Sequence, residues 1–188
     1  MGTYDVSFYN DNSRLWGRMK GELPTIIVDT REKKPLVFAN SEVHGLKTGD
    51  YSVLGYEDLF CVEHKTVKDL IGTCDFKNRE RFRRELQRMK DSFEFYCIVI
   101  SGSESDIDDV CKKLYATQWK QWLAKTKRGI KARKPMRPEV RIPSVKGSLK
   151  AFRADFNCHY YFLRNKEDAA GWIQEQAMYY LRNKGGEA

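Results

Sequence analysis

Residues 93–101 read FEFYCIVIS, in which only Glu94 and Ser101 are neither apolar nor aromatic. A run this short and this apolar on both alternating faces reads as a strand covered on both sides. It demands a sheet with helices on each face, and the flanking sequence supplies them. Helical spacing appears in Val67, Leu70, Ile71 and Cys74, and again in Phe82, Leu86 and Met89. Ser105 reads as the N-cap of a helix with an acidic first turn that runs toward Trp119 and Trp122. Val145, Leu149, Phe152 and Phe156 mark one face of a helix over 144–156. A strand over 158–163 and a helix over 166–183 follow, and residues 25–29 add a short apolar strand ending in Asp29. Helices alternating with a mixed central sheet predict an α/β fold, a three-layer α/β/α sandwich. The 188 residues, 41% of them hydrophobic, suffice for one such domain. Its expected span is 24–184, after a polar arm over 1–23 and before a short tail over 185–188.

The chemistry concentrates in a hairpin. Residues 51–54 and 59–63 are rich in β-formers, and Gly55-Tyr56-Glu57-Asp58 between them is turn material. A four-residue turn pairs Leu54 with Leu59 and, counting back along the strands, Asp50 with Glu63. Two carboxylates directly opposite each other on a sheet repel. A divalent cation between them removes the repulsion, and Mg²⁺ is typically held by one or two carboxylates plus phosphate and water oxygens. The strand period of two puts Lys65 on the face of Glu63 and His64 on the opposite face. An ammonium beside a metal-bound carboxylate pair orients a water or stabilises developing charge. Glu-x-Lys alone reads equally as a surface ion pair. Thr66 and Asp69 have the form of a capping box, which makes Asp69 a helix cap as well as a candidate auxiliary group.

Gly49-Asp50, the hairpin, Glu63-His64-Lys65 and Asp69 together resemble the XPF/Hef family of structure-specific DNA nucleases. That family's signature is Gly-Asp, a variable hairpin and Glu-Arg-Lys-x-x-x-Asp, a form of the wider PD-(D/E)xK motif. His64 stands where the family usually has Arg. Upstream, Val28-Asp29-Thr30-Arg31-Glu32 is similar to the family's Val-Asp-x-Arg-Glu; downstream, the likeness continues through Asp69-Leu70-Ile71-Gly72 into an Arg-rich helix. It covers most of residues 25–182. The resemblance implies a restriction-endonuclease-like fold and a metal-dependent DNA endonuclease acting on branched or flapped DNA in repair or recombination. It implies Mg²⁺ or Mn²⁺ on Asp50 and Glu63, with the His64 backbone carbonyl as a third ligand and Asp29 supporting that metal or a second one. Lys65 then positions or activates water, and Arg31, Glu32, Asp69 and Arg79 or Arg81 are auxiliary groups. Products with 5′-phosphate and 3′-hydroxyl ends follow from the same resemblance. Most relatives add a tandem helix-hairpin-helix domain for branched DNA, and nothing after Asn183 supplies it. The expectation is that grip comes from the nuclease domain, a homodimer or a partner protein. Because the family includes inactive subunits, the alternative is a non-catalytic DNA-binding partner subunit. A nuclease directed at RNA is a third reading.

The formal net charge of +8 calls for an anionic partner. Basic residues crowd into 125–141, where Glu139 is the only acid and Gly129, Pro135 and Pro138 break any continuous helix. Lys127, Arg128, Lys131, Arg133 and Lys134 are the expected DNA contacts. On the helix over 77–91, Glu80 and Glu85 read as local partners of its arginines on a solvated face. No apolar run approaches the ~20 residues of a spanning helix, and the first residues lack the apolar core of a secretory signal. The expectation is therefore no membrane. Five cysteines without a CxxC pair read as reduced, buried thiols. That usage points to the cytoplasm, in association with the nucleoid, or to the nucleus in a eukaryote. His44, His64 and His159 lie too far apart in sequence for zinc-ligand spacing.

Overall fold

The computed structural model describes residues 23–185. Of the arm expected over 1–23 and the tail expected over 185–188, residues 1–22 and 186–188 lie outside the described residues, and Gly185 still belongs to the last helix. The strands are β1 (Ile26–Asp29), β2 (Ser41–His44), β3 (Tyr51–Val53), β4 (Phe60–Thr66), β5 (Phe95–Ser101) and β6 (His159–Leu163). They form one sheet in the order β2-β1-β3-β4-β5-β6. The sheet is mixed: β1/β2, β4/β5 and β5/β6 run parallel, β1/β3 and β3/β4 antiparallel. The helices are α1 (Val67–Cys74), α2 (Phe76–Ser92), α3 (Asp106–Lys127), α4 (Pro138–Phe156) and α5 (Lys166–Gly185).

The apolar strand β5 sits inside the sheet and is covered on both faces, as its sequence requires. Its alternate residues feed two separate cores. Ile98 and Ile100 pack with α1, α2, α3 and α4. Cys97 and Val99 pack with α5 and with Leu36 and Phe38 of the β1–β2 connection. The three layers are thus unequal, with four helices on one face and one on the other. Leu86, Met89 and Phe152 are fully buried under the thicker layer; each such side chain contributes roughly 1.5–3 kcal/mol.

Local sequence explains the boundaries. Thr66 caps α1: its hydroxyl accepts from Asp69 N at 3.2 Å and donates to Asp69 Oδ2 at 2.6 Å. Asn157, with φ 49°, takes the left-handed conformation that ends α4. Gly49, with φ 83°, delivers Asp50 to the sheet; a Cβ there would lie 2.5 Å from Cys61 Sγ.

Four expectations change. Strand β2 was not anticipated, because all four of its residues are exposed and it pairs only along the sheet edge, so no alternation betrays it. Ser105 holds the N-cap position expected of it, but its backbone is in the right-handed helical region and its hydroxyl makes no cap bond; the Asp106 carboxylate instead accepts from Ser103 N at 2.7 Å. Helix α4 begins at Pro138 and not at 144, since proline at the first helical position gives up an N–H that has no partner there anyway. The basic loop therefore shrinks to 128–137: Lys125 and Lys127 finish α3, and Arg141 is a buried residue of α4. All five cysteines are free and buried. Among the described residues no helix is long and apolar enough to cross a membrane.

Candidate active site

The hairpin pairs Tyr51 with Val62, the register obtained by counting from the turn. Continued by one residue, it sets Asp50 opposite Glu63. The β1–β3 register, which pairs Val28 with Tyr51, likewise sets Asp29 opposite Asp50, and Asp29 N donates to Asp50 O at 2.9 Å. Three carboxylates thus stand in one row across β1, β3 and β4. The outer two are compensated. Asp29, 3% exposed, accepts from Arg31 Nε at 2.6 Å, from Leu46 N at 3.3 Å and from Thr30 Oγ1 at 3.4 Å. Glu63, 8% exposed, holds Lys65 Nζ at 2.5 Å.

Asp50, in the middle, has only the His64 backbone N–H, at 2.8 Å from Oδ2. Burial, and then the neighbouring Glu63, push its carboxyl up to about 7. Neither Asp50 Oδ1 nor Glu63 Oε2 accepts a hydrogen bond from the described residues. Burial pulls the Lys65 ammonium down, but Glu63 first, then Glu85 and Asp50, together leave it above the ordinary lysine value. Lys65 is therefore a fixed cation, 4.6 Å from the centre of the Phe82 ring.

His64 lies on the other face, with Nε2 at 2.8 Å from Ser101 Oγ. Burial, then Lys166, lower it to about 4, so its side chain is a neutral group remote from the carboxylate row. Glu32 closes its own turn by accepting from Lys34 N at 2.7 Å. Arg79 packs over the Phe152 ring at 5.8 Å, whereas Arg81 lines a cavity of about 640 Å³ together with Glu63, Lys65 and Asp69.

Two residues of this cavity were missed. Glu85 lies beside Glu63, and burial followed by that neighbour raises its carboxyl. Its position three residues after the buried Phe82 was the available signal. Arg141, 7% exposed, lines the opposite wall; nothing in a run of basic residues marks which one is buried.

The basic loop also gains structure. Tyr115, Trp119 and Trp122 form a ladder along α3 with ring centres 5.7 and 5.0 Å apart. Lys134 Nζ sits over Trp119 at 5.2 Å, and Trp122 Nε1 donates to Ala132 O at 3.1 Å. Lys127, Arg128, Lys131 and Arg133 are carried on this clasped segment, away from the carboxylate row in sequence and on different elements.

The donors at the row fit a hard cation. The half-buried Asp50 and the buried Glu63, with one free oxygen each and Asp50 short of positive charge, suit Mg²⁺ or Mn²⁺ completed by water and phosphate oxygens. No group of three or more His, Cys, Asp or Glu side chains suited to a metal occurs among the described residues.

Comparison with known proteins gives the family and the fold. The family model described as the ERCC4 domain matches residues 21–175. The chain belongs to the ERCC4 domain family. Among solved structures this ERCC4 domain is similar to XPF from Aeropyrum pernix, with a TM-score of 0.58 and 18% identity over 86% of this chain and 64% of that one. It is equally similar to XPF from Aeropyrum pernix in complex with DNA, with a TM-score of 0.57 and 17% identity over 85% and 66% of the two chains. The domain spans just under two thirds of those XPF chains, and at such identity the likeness is one of fold. No curated protein sequence matches it. The resemblance read from the motifs is borne out at the level of family and fold, those of an XPF-type nuclease domain.

Proposed function

We propose that this ERCC4 domain is a divalent-cation-dependent DNA endonuclease that hydrolyses phosphodiester bonds at branched or flapped DNA. The carrying observation is the uncompensated Asp50 between two compensated carboxylates, its carboxyl raised to about 7. Such a group is costly to ionise alone and is stabilised when a cation binds. Support also comes from the XPF fold, solved in that relative with DNA. Bound at Asp50 and Glu63, Mg²⁺ or Mn²⁺ would neutralise phosphate charge and lower the pKa of a bound water.

The chain's own groups do the rest. Glu63 fixes the Lys65 ammonium at 2.5 Å, where it steers the attacking water and stabilises charge on the phosphoryl oxygens. The water's proton passes to solvent or to a phosphate oxygen. Water adds to phosphorus, the bond to O3′ breaks, and the 3′ oxygen leaves protonated opposite a 5′-phosphate. Asp29 and Arg31 brace the strand that carries Asp50, and the clasped basic segment grips the duplex or flap. Branch specificity then comes from this segment, a second copy or a partner protein.

The test is incubation with labelled flap, fork, Holliday-junction and linear DNAs in Mg²⁺, Mn²⁺ or EDTA. Cleavage with metal alone, abolished in Asp50→Asn and Glu63→Gln while DNA binding persists, is the expected result. Binding without cleavage in any metal would make the chain a non-catalytic partner subunit.

A further inference from the structure

We propose that the cavity beside the carboxylate row is a phosphate subsite for the strand being cut, in which Arg141 holds the phosphate of a nucleotide adjacent to the scissile linkage. The inference rests on the nuclease reading above and adds the residue that places the strand. Arg141 is 7% exposed, and its Nε makes no hydrogen bond. The Asp75 carboxylate is an ion-pair partner, with Oδ1 3.8 Å from Nε, too long for a hydrogen bond. Nη1 reaches Gln118 Oε1 at 3.2 Å, a neutral partner. A buried guanidinium with an unmade donor is costly. The deficit is removed by an anion with several acceptor oxygens, for which the planar guanidinium fork is shaped.

The position of the cavity selects which anion. Glu63 and Lys65 are among its lining residues, so a strand whose scissile phosphate meets Asp50 and Glu63 has the neighbouring nucleotide beside the cavity. Lys68, Arg81 and Arg88 add positive charge to the walls. Four acids line it as well, Glu63, Asp69, Asp75 and Glu85; Glu63 holds Lys65, Asp69 is bonded to the Thr66 hydroxyl and Asp75 pairs with Arg141. A volume of about 640 Å³ falls within the roughly 300–1,000 Å³ of pockets that take small organic ligands, enough for one unstacked nucleotide. Arg141 acts here as a positioning residue, since the reacting phosphorus belongs to the next linkage.

The experiment walks a single neutral methylphosphonate across the three linkages on either side of the scissile one. The value of kcat/KM is then compared between the intact protein and Arg141→Met. One adjacent position should cost the intact protein about 10- to 100-fold and should cost Arg141→Met nothing further, a coupling that a purely structural arginine does not produce. An equal penalty in both proteins, or no sensitive neighbouring linkage, overturns the proposal. The second measurement needs neither cleavage nor a folded variant. The intact protein in EDTA is titrated with thymidine 5′-phosphate or thymidine while the arginine Nε–H resonances are followed by NMR. Movement of the Arg141 signal by the phosphate alone supports the subsite; no movement overturns it. Failure of the intact protein to cut any DNA would sink the nuclease reading and leave this binding test standing.

Discussion

Asp50 is expected to destabilise the metal-free protein at neutral and higher pH. Its carboxyl titrates at 3.8 in an ordinary setting and at about 7 in the fold. The stability associated with the protonated form is complete below 3.8 and is lost as pH rises through about 7. Asp50→Asn keeps an acceptor for His64 N and removes the charge. In EDTA, calorimetry should show little difference from the parent at pH 4. At pH 8 the variant should be more stable by on the order of 4 kcal/mol, the shift from 3.8 to about 7 taken at roughly 1.4 kcal/mol per unit, or roughly 8–16 °C in Tm. Saturating Mg²⁺ should close the gap by stabilising the parent alone; a gap that ignores pH would remove Asp50 from the centre of the row. Lys65 and His64 make a second contrast. Lys65→Ala strips the cation from Glu63 and should reduce cleavage ~10²–10³-fold. His64→Ala alters the opposite face and should lose under ~10-fold, with His64→Arg active; a His64→Ala protein as inactive as Lys65→Ala would mean that the imidazole acts on the metal side. Gly49→Ala combines a left-handed φ of 83° with a 2.5 Å clash on Cys61 Sγ. It should cost about 1–3 kcal/mol in urea unfolding, and a neutral effect would show that the Asp50 approach tolerates a side chain.

At the scale of elements, the basic segment is held by aromatic packing and is not a free loop. Helix α3 buries only Ile107 and Cys111, so beyond those residues it is anchored by its ladder, by Lys134 and by the Trp122–Ala132 bond. Two perturbations should separate charge from order. Neutralising Lys127, Arg128, Lys131, Arg133 and Lys134 should flatten the salt dependence of DNA binding by about 0.7–0.9 in log–log slope for each phosphate no longer neutralised. Trp122→Ala should weaken binding with the slope unchanged, because the charges remain and only their preorganisation is lost. Equal slopes in both variants would deny the segment a role in binding. The same contrast shows what was legible. Hairpin register followed from a turn of four residues, the α1 cap from Thr66, and the double cover of β5 from its apolar run. These are local signals, decided by neighbours in sequence. Strand β2, the start of α4 at Pro138, Glu85 beside Glu63 and the burial of Arg141 depend on what packs from elsewhere, and a charged residue looks alike in sequence whether it is solvated or walled in.

Across the whole molecule, the two cores meet at β4 and β5, and the row of carboxylates stands on the face with four helices. Leu114 and Gln118 of α3 and Arg141 of α4 line the cavity, and the clasped segment extends from those same two helices. DNA gripped by the segment is therefore delivered to the cavity by rigid elements that share its walls. Local stability should be graded accordingly. Amides of β4 and β5, within the sheet between the two cores, should exchange most slowly. Those of α3 beyond Gln118 and of 128–137, where few residues are buried, should exchange fastest among the described residues. A flap DNA added in EDTA has no cation to bring it to Asp50 and Glu63, so it should slow exchange in the segment first and leave the hairpin unchanged. Added Ca²⁺, which binds carboxylates and phosphates without the strict octahedral geometry of Mg²⁺, should then extend protection to the hairpin and to Arg141. Hydrogen exchange read by mass spectrometry distinguishes the two stages. Protection that starts at the hairpin in EDTA and bypasses 128–137 would mean that the carboxylate face, and not the basic segment, makes the first contact with DNA.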